Sequence, residues 1–146
     1  MTQFHRLAAP ALLVFATLAA GCNSSGLTGP IVAYGALVTV VPDNTHLAPL
    51  DYVVTVANGG TAAVYIQQCG DSPWLLQEEW IDGEWARGPE PDCAVPTVKL
   101  SIAAAGAEQY STGVAAAGRY RIGIRVSPTP DMANMRAAFS AAFDAK

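Results

Sequence analysis

Few side chains in this sequence have the types and spacing that catalysis needs. One of its two histidines is His46, which lies in a loop flanked by prolines. Nucleophilic catalysis needs a base held beside the nucleophile, and no serine or cysteine motif accompanies His46. Glu78 and Glu79 are adjacent in a predicted strand and should point to opposite faces, so they cannot both serve one acid–base site. The sequence therefore predicts no catalytic residue and no enzyme.

Binding sites for metals, cofactors and nucleic acids are equally hard to find. The chain contains no glycine-rich phosphate loop and no histidine-rich metal motif. The carboxylates between residues 78 and 84 lack the convergent spacing of a calcium site, and we expect them to form a solvated acidic face of a hairpin. The formal net charge is −4 and no basic cluster is present, which disfavours nucleic-acid binding. We expect neither a metal nor a cofactor.

The N-terminus has the layout of a secretory signal peptide. Arg6 precedes the apolar run Leu7–Ala20, which is interrupted by Pro10 and followed by small residues. The run is shorter than the roughly 20 apolar residues that span a bilayer as a helix. Residues 1–21 are therefore interpreted as an export signal rather than a permanent transmembrane helix.

Cys22 follows this run directly and is the candidate lipidation site. The stretch Ala19-Ala20-Gly21-Cys22 resembles the lipobox of bacterial lipoproteins, although Ala19 stands where that family most often has leucine. The resemblance implies diacylglycerol on the Cys22 sulfur, cleavage before Cys22 and acylation of the new amino terminus. Two or more chains make such attachment stable. The alternative is an ordinary signal peptide that happens to end near a cysteine.

The location and the tether follow from the same resemblance. Residues 22–30 are polar and glycine-containing, which predicts a flexible tether between the lipidated cysteine and the folded part. We expect a protein anchored by lipid in the cell envelope. In a bacterium with two membranes, Asn23 resembles an outer-membrane sorting context, which would place the protein on the periplasmic or the outer face of that membrane.

Cys69 and Cys93 form an even pair in a chain expected to be exported, which predicts a disulfide bond. Closing a loop of about 25 residues would stabilise the fold by roughly 3 kcal/mol in the chain-entropy model. A metal or redox pair is the weaker alternative, because no further cysteine or histidine lies near either residue.

Trp74, Trp80 and Trp85 are the best candidates for binding. They lie close together around a predicted hairpin. We expect one of them to fill the core near the disulfide. If two were exposed, they could form an aromatic platform for a sugar or a partner protein. The alternative is that all three pack in the core or cover its ends.

Three arginines of a late strand, Arg119, Arg121 and Arg125, share its outward face. They could meet an acidic partner. We expect them instead to pair with carboxylates of a neighbouring strand or to keep the face hydrated.

Short apolar runs separated by turn residues predict an all-β fold. Asn58-Gly59-Gly60 and Asp82-Gly83 are strong turn signals. The predicted strands cover residues 31–41, 50–57, 61–69, 74–81, 84–85, 97–102, 109–112 and 119–126. Several short strands with one apolar face each are typical of a β-sandwich.

The C-terminal segment, residues 131–146, is ambiguous. Met132, Met135, Phe139 and Phe143 recur at helical spacing. A terminal strand over residues 138–145 is the competing prediction.

The order of the motifs between Asp51 and Val126 resembles immunoglobulin-like β-sandwich domains of exported bacterial proteins. The matching pieces are Val56–Gly60, Tyr65–Cys69, Asp82-Gly83-Glu84-Trp85, Cys93, Ala105-Gly106 and Gly118-Arg119-Tyr120-Arg121. The resemblance covers half to two-thirds of the mature chain. It implies a sandwich of about seven to eight antiparallel strands over residues 31–146, and it favours a final strand around Ser140–Phe143. A related domain type includes a proteinase inhibitor.

These observations lead to one functional expectation. We expect a non-catalytic, membrane-anchored module that binds or scaffolds a protein or another envelope component. The alternatives are a module that binds a carbohydrate or another small ligand through the tryptophan hairpin, and a domain similar to a protease inhibitor. The fold class alone does not decide between them.

Overall fold

The computed structural model describes residues 28–43, 50–90, 92–93 and 97–146, and these residues form an all-β structure without a helix. The prediction of an all-β fold is confirmed. The described residues form eleven strands, more than the seven to eight expected. The strands are β1 (Ala36–Pro42), β2 (Asp51–Asn58), β3 (Val64–Cys69), β4 (Ser72–Pro73), β5 (Leu75–Ile81), β6 (Glu84–Arg87), β7 (Thr97–Ile102), β8 (Ala107–Gly113), β9 (Gly118–Ser127), β10 (Arg136–Phe139) and β11 (Phe143–Ala145).

The strands form two antiparallel sheets. Some consecutive strands, such as β10 and β11, pair with the same edge of one neighbour and together form a single row of the sheet. The smaller sheet has the order β1-β2-β8. In the larger sheet, β9 pairs with β3 and β5 along one edge and with β10 and β11 along the other. β7 and β6 then pair with the far edges of β3 and β5. The larger sheet thus has four rows and the smaller sheet has three.

The two sheets face each other across an apolar core, which makes the architecture sandwich-like. Alternate residues of each strand point inward, as the period of two requires. The smaller sheet contributes Val38, Val54 and Val56, and β9 contributes Ile122 and Ile124, all at most 1% exposed. The prediction that each strand has one apolar face is confirmed for β2 and β9.

The turn at Asp82-Gly83 is confirmed, and its backbone shows why the sequence predicted it. Both residues have positive φ, 51° and 90°, which is the requirement of a two-residue type I′ hairpin. The run 31–41, predicted as one strand, is in contrast broken. Tyr34 and Gly35 have φ of 52° and 82°, and a turn there folds Ala33 back onto Ala36.

The C-terminal segment contains two short strands and no helix, so the favoured prediction of strand is confirmed, but residues 140–142, inside the expected final strand, interrupt it. β10 and β11 both pair with β9, and the strand is interrupted between them, beginning at Ser140. The Ser140 hydroxyl accepts a hydrogen bond from the Ile122 amide at 3.1 Å, and the Ser140 amide donates to the Ile122 carbonyl at 2.8 Å. Ser140 therefore remains fixed to β9 although the strand is interrupted.

Candidate functional site

Trp80 and Trp85 lie on the outer face of the larger sheet, opposite each other in neighbouring strands. The register establishes the face: Glu78 is paired with Arg121, and Arg121 alternates with the buried core residues Tyr120 and Ile122. Trp80 shares the face of Glu78, two residues along β5. None of the three tryptophans belongs to the core clusters of the described residues. The expectation that one fills the core is wrong, because these positions alternate with the inward ones.

The Trp80 and Trp85 rings do not form a flat platform. Their centroids are 5.0 Å apart and their planes meet at 66°, an edge-to-face arrangement that aromatic pairs favour for their own packing. The indole nitrogens of Trp74 and Trp85 are buried and have no hydrogen-bond partner among the described groups. All three tryptophans are partly exposed. The geometry fits a hairpin that packs against its own sheet better than a stacking surface for a sugar ring.

Glu78 is the centre of this outer-face cluster. One carboxylate oxygen accepts hydrogen bonds from Arg87 at 3.1 and 3.2 Å, and the other accepts two from Arg121, the longer at 2.7 Å. The Glu78 side chain is 6% exposed and that of Arg121 is 12% exposed. The predicted solvated acidic face is therefore wrong at Glu78, because two arginines cover the carboxylate from β6 and β9.

Arg121 is also held between two aromatic rings. Its guanidinium carbon lies 4.4 Å from the ring centroid of Trp85 and 4.4 Å from that of Phe139. Cation–π contacts of this kind stabilise by about 0.5–2 kcal/mol. The Phe139 ring occupies the space over Gly123, where an added Cβ would lie 2.5 Å from it. The cluster therefore fixes β10, β9, β5 and β6 to one another and leaves no free charge for an acid–base step.

The predicted pairing of the arginines with carboxylates is confirmed for Arg121, whose partner is on the neighbouring strand. Arg125 pairs with Glu90, which follows β6, at 2.5 Å. Both side chains of that pair are about a third exposed, so it is a surface ion pair. Arg119 is exposed.

The predicted disulfide between Cys69 and Cys93 is present, with the two Cα atoms 5.5 Å apart. It joins the end of β3 to the connection between β6 and β7. The metal alternative has no support in the described part of the chain, where no group of three histidine, cysteine or acidic side chains could hold an ion.

A second region with unused binding capacity is the outer edge of β8. In the pairing with β2, Val114 donates to Leu50 and Asn58 donates to Gly106. Because hydrogen-bonded residues alternate along an antiparallel pair, the even-numbered residues of β8 bond to β2. The amide and carbonyl groups of the other residues point away from β2, and no described backbone group bonds to them. These residues are Ala107, Gln109, Ser111 and Gly113.

Two cavities lie beside this edge, between β8 and the inner face of β5. The first, of about 410 Å³, extends along Gly113–Ala115, and the second, of about 280 Å³, is bordered by Ser111 and Thr112. Gln77 and Pro89 line both, so they form one continuous groove. Leu75 and Ile122 form part of its floor.

The described residues that line the groove are uncharged, but carboxylates lie on the strands that border it. Burial raises the pKa of the Tyr110 hydroxyl, and the neighbouring Glu108 raises it further. Burial likewise raises the pKa of Tyr120, with a second contribution from Glu79. Asp51 lies over Gly113, where an added Cβ would be 2.9 Å from its carboxylate oxygen.

Some predicted features lie outside the described residues. These are Cys22, the signal peptide, most of the tether and His46. No helix in the described ranges is long and apolar enough to cross a membrane.

Comparison with known proteins gives little further guidance. No family model matches the chain, and no curated protein matches it. Among solved structures it is similar to one described as the X-ray structure of Northeast Structural Genomics Consortium target SoR45. The TM-score is 0.47 at 12% sequence identity, over 78% of this chain and 88% of that chain.

Proposed function

We propose that this protein is a lipid-anchored, non-catalytic binding module of the cell envelope, attached through Cys22. The folded body would hold a protein partner close to the membrane surface. This proposal combines the N-terminal sequence with the way in which the body begins.

The observation that carries the proposal is that the body is ordered almost from the end of the lipobox. The Ala142 amide donates to the Thr28 carbonyl at 2.9 Å, and Ile31 exchanges two hydrogen bonds of 2.8 Å with Phe139. The chain is therefore fixed to the larger sheet six residues after Cys22. Six extended residues reach roughly 20 Å, so lipid on Cys22 would keep the sandwich next to the bilayer.

An immunoglobulin-like arrangement is part of this proposal. The rows β1-β2-β8 and the rows β10/β11, β9, β3/β5 and β7/β6 make seven antiparallel rows when interrupted strands are joined. Two packed antiparallel sheets with seven rows in total suit an immunoglobulin-like sandwich, with the first two strands, β1 and β2, in the three-row sheet. Such domains present their edges and loops to partners and need no catalytic group.

The charges of the body support binding over catalysis. Glu78 is fully engaged by Arg87 and Arg121, and the Trp80–Trp85 pair is edge-to-face. The unpaired edge of β8 is a surface that combines free hydrogen-bonding capacity with an adjoining groove. We therefore place the partner at that edge and not at the tryptophan hairpin.

The anchor is tested by metabolic labelling with palmitate in a bacterium that modifies lipoproteins. We expect label on the wild type and none on Cys22→Ala, because the acyl chains depend on that sulfur and on the processing it directs. The double variant Cys69→Ala with Cys93→Ala is the control and should keep the label, since those thiols are joined to each other. Equal labelling of wild type and Cys22→Ala would refute the anchor.

A further inference from the structure

The two sheets of the sandwich have unequal widths, and the missing row lies beside β8. β1 lies across from the β10–β11 junction, where Leu37–Val40 and Ser140–Phe143 border a common cavity. β8 lies across from β5, as the groove lined by Ser111, Leu75 and Gln77 shows. No described strand of the smaller sheet lies across from the row formed by β6 and β7. One added strand beside β8 would make both sheets four rows wide.

The free edge of β8 carries one of the features that normally block strand addition and lacks the others. Exposed edges are usually protected by proline, by inward-pointing charge, by lysine or by a bulge. The β8 sequence Ala-Glu-Gln-Tyr-Ser-Thr-Gly contains no proline and no lysine, and its register with β2 is continuous from Ala107 to Gly113. Its one charge, Glu108, shares the inward face of Tyr110, so an added strand would have to meet it with a basic side chain. The four residues whose backbone groups point away from β2 have small or uncharged side chains, and all four are exposed. They are Ala107, Gln109, Ser111 and Gly113. An incoming strand could therefore approach the backbone along the full length of β8.

The groove supplies a place for the side chains of such a strand. Alternate side chains of an added strand point toward the opposite sheet, which here means toward the groove above Leu75, Gln77 and Pro89. The cavity of about 410 Å³ is within the size range of sites that hold small ligands and side chains. Backbone hydrogen bonds with pockets for alternate side chains are the two components of recognition by β-strand addition.

The charges around the groove indicate which strand would bind. Glu108 shares the inward face of Tyr110 on β8, and Glu79 lies two residues from Gln77 on the inward face of β5, so both lie on the groove side. Asp51 lies over Gly113 on the outer face of the neighbouring strand. Arg87 and Arg125 are already paired with Glu78 and Glu90, and no described arginine lines the groove. A second copy of this acidic chain would bring Glu108 and Asp51 toward their own copies. An extended basic segment would instead place its positive charges beside these carboxylates.

We propose that the edge of β8 and the adjoining groove bind an extended, basic peptide segment of a partner protein, which adds to the smaller sheet as its fourth strand. The inference rests on the proposed function, because it specifies the partner of a binding module. An added strand of about seven residues would cover the roughly 24 Å length of β8. Specificity would come from lysine or arginine side chains that point to the groove side, where Glu79 and Glu108 lie and where Leu75 and Ile122 would contact their aliphatic stems. Small or apolar residues would alternate with them on the outer face.

The proposal is tested with the full chain purified in detergent and the fluorescent peptide acetyl-Lys-Val-Lys-Val-Lys-Val-Lys-amide as the probe. We expect saturable binding by fluorescence polarisation. Two control peptides are matched in length: one carries N-methyl groups on alternate residues and cannot make the ladder, and the other has glutamate in place of lysine. Both should bind at least about tenfold more weakly, since one lacks the hydrogen bonds and the other reverses the charge.

Ser111→Pro removes one outward amide donor from the edge, and Ser111→Ala keeps that donor. Proline is tolerated on an edge strand when its nitrogen faces solvent, so both variants should fold. We expect Ser111→Pro to bind the Lys-Val peptide about tenfold more weakly than the wild type. Ser111→Ala should bind it with the affinity of the wild type. If Ser111→Pro fails to fold, residue-resolved hydrogen exchange of the wild type replaces it: the amides of Gln109 and Ser111 should exchange freely alone and become protected with the peptide.

Three results would overturn the proposal. Equal binding of the N-methylated peptide would mean that charge alone attracts the probe. Slow exchange of the Gln109 and Ser111 amides in the free protein would mean that the edge is already covered. A dimer in sedimentation that Ser111→Pro dissociates would assign the edge to a second copy. Each leaves palmitate labelling at Cys22 unaffected, so failure here is distinguishable from failure of the anchor.

Discussion

Replacing Glu78 should lower the free energy of unfolding strongly. Its carboxylate neutralises Arg121, a side chain only 12% exposed, so Glu78→Ala would leave a buried guanidinium without a counter-charge. Breaking a buried ion pair in this way costs about 3–5 kcal/mol. We expect that loss in the free energy of unfolding, measured by urea denaturation, with Glu78→Gln intermediate because the amide oxygen still accepts a hydrogen bond.

Glu90→Ala is the matched control for this measurement. Glu90 also pairs with an arginine, Arg125, but both side chains are about a third exposed. Surface ion pairs contribute about 0–1 kcal/mol, so the loss should be small. Equal losses for Glu78→Ala and Glu90→Ala would show that burial of the Glu78 pair has no energetic consequence.

The sequence could predict that Glu78 and Glu79 face opposite sides, but not which of them is buried. The partner that buries Glu78 lies 43 residues later on β9, and no local pattern encodes that register. Asn58 shows the same limit. The Asn-Gly-Gly signal predicted a turn, whereas the side-chain amide of Asn58 in fact donates to the carbonyls of Ala62, Ile102 and Ala103. A polar residue that is 1% exposed was not distinguishable from an ordinary turn residue.

At the scale of elements, local chemistry predicted turns and strands well where backbone requirements are specific. The Asp82-Gly83 hairpin needed only two residues that tolerate positive φ. The helical spacing of Met132, Phe139 and Phe143 left a helix open as an alternative, and tertiary contacts instead make the segment strand. Phe139 covers Gly123 on β9, and Phe143 packs on Tyr52 with ring centroids 4.7 Å apart. Contacts across the sandwich outweigh the intrinsic helical preference there.

The disulfide joins the end of β3 to the connection between β6 and β7, and its removal should lower the stability of the fold. Replacing Cys69 and Cys93 by serine opens a loop with a sequence separation of 24 residues. In the chain-entropy model this costs roughly 3 kcal/mol, because the unfolded state regains freedom. We expect a loss of that size in urea denaturation, and the wild type under dithiothreitol should match the double variant. A double variant as stable as the oxidised wild type would contradict the prediction.

The stability of the whole sandwich should depend on pH in the alkaline range because of two tyrosines, Tyr110 and Tyr120. Tyr110 packs against the core between the sheets, and Tyr120 is 3% exposed beside Phe143. Burial first, and nearby carboxylates second, raise the pKa of both hydroxyls above the ordinary value of 10.0. The folded state therefore retains these protons at a pH at which the unfolded chain has released them.

A raised folded-state pKa means that the stabilising contribution is fully present below the ordinary tyrosine pKa and is lost as the pH rises through the folded value. We expect the free energy of unfolding to be steady from about pH 8 to about pH 9.5 and to fall steeply above about pH 10. Urea denaturation at each pH measures it. The double variant Tyr110→Phe with Tyr120→Phe lacks both hydroxyls and should lose stability less steeply over the same range, because only the shared background of other titrating groups remains. Parallel curves for the two proteins would mean that the fall arises elsewhere in the molecule, and that these hydroxyls ionise as readily in the sandwich as in the unfolded chain.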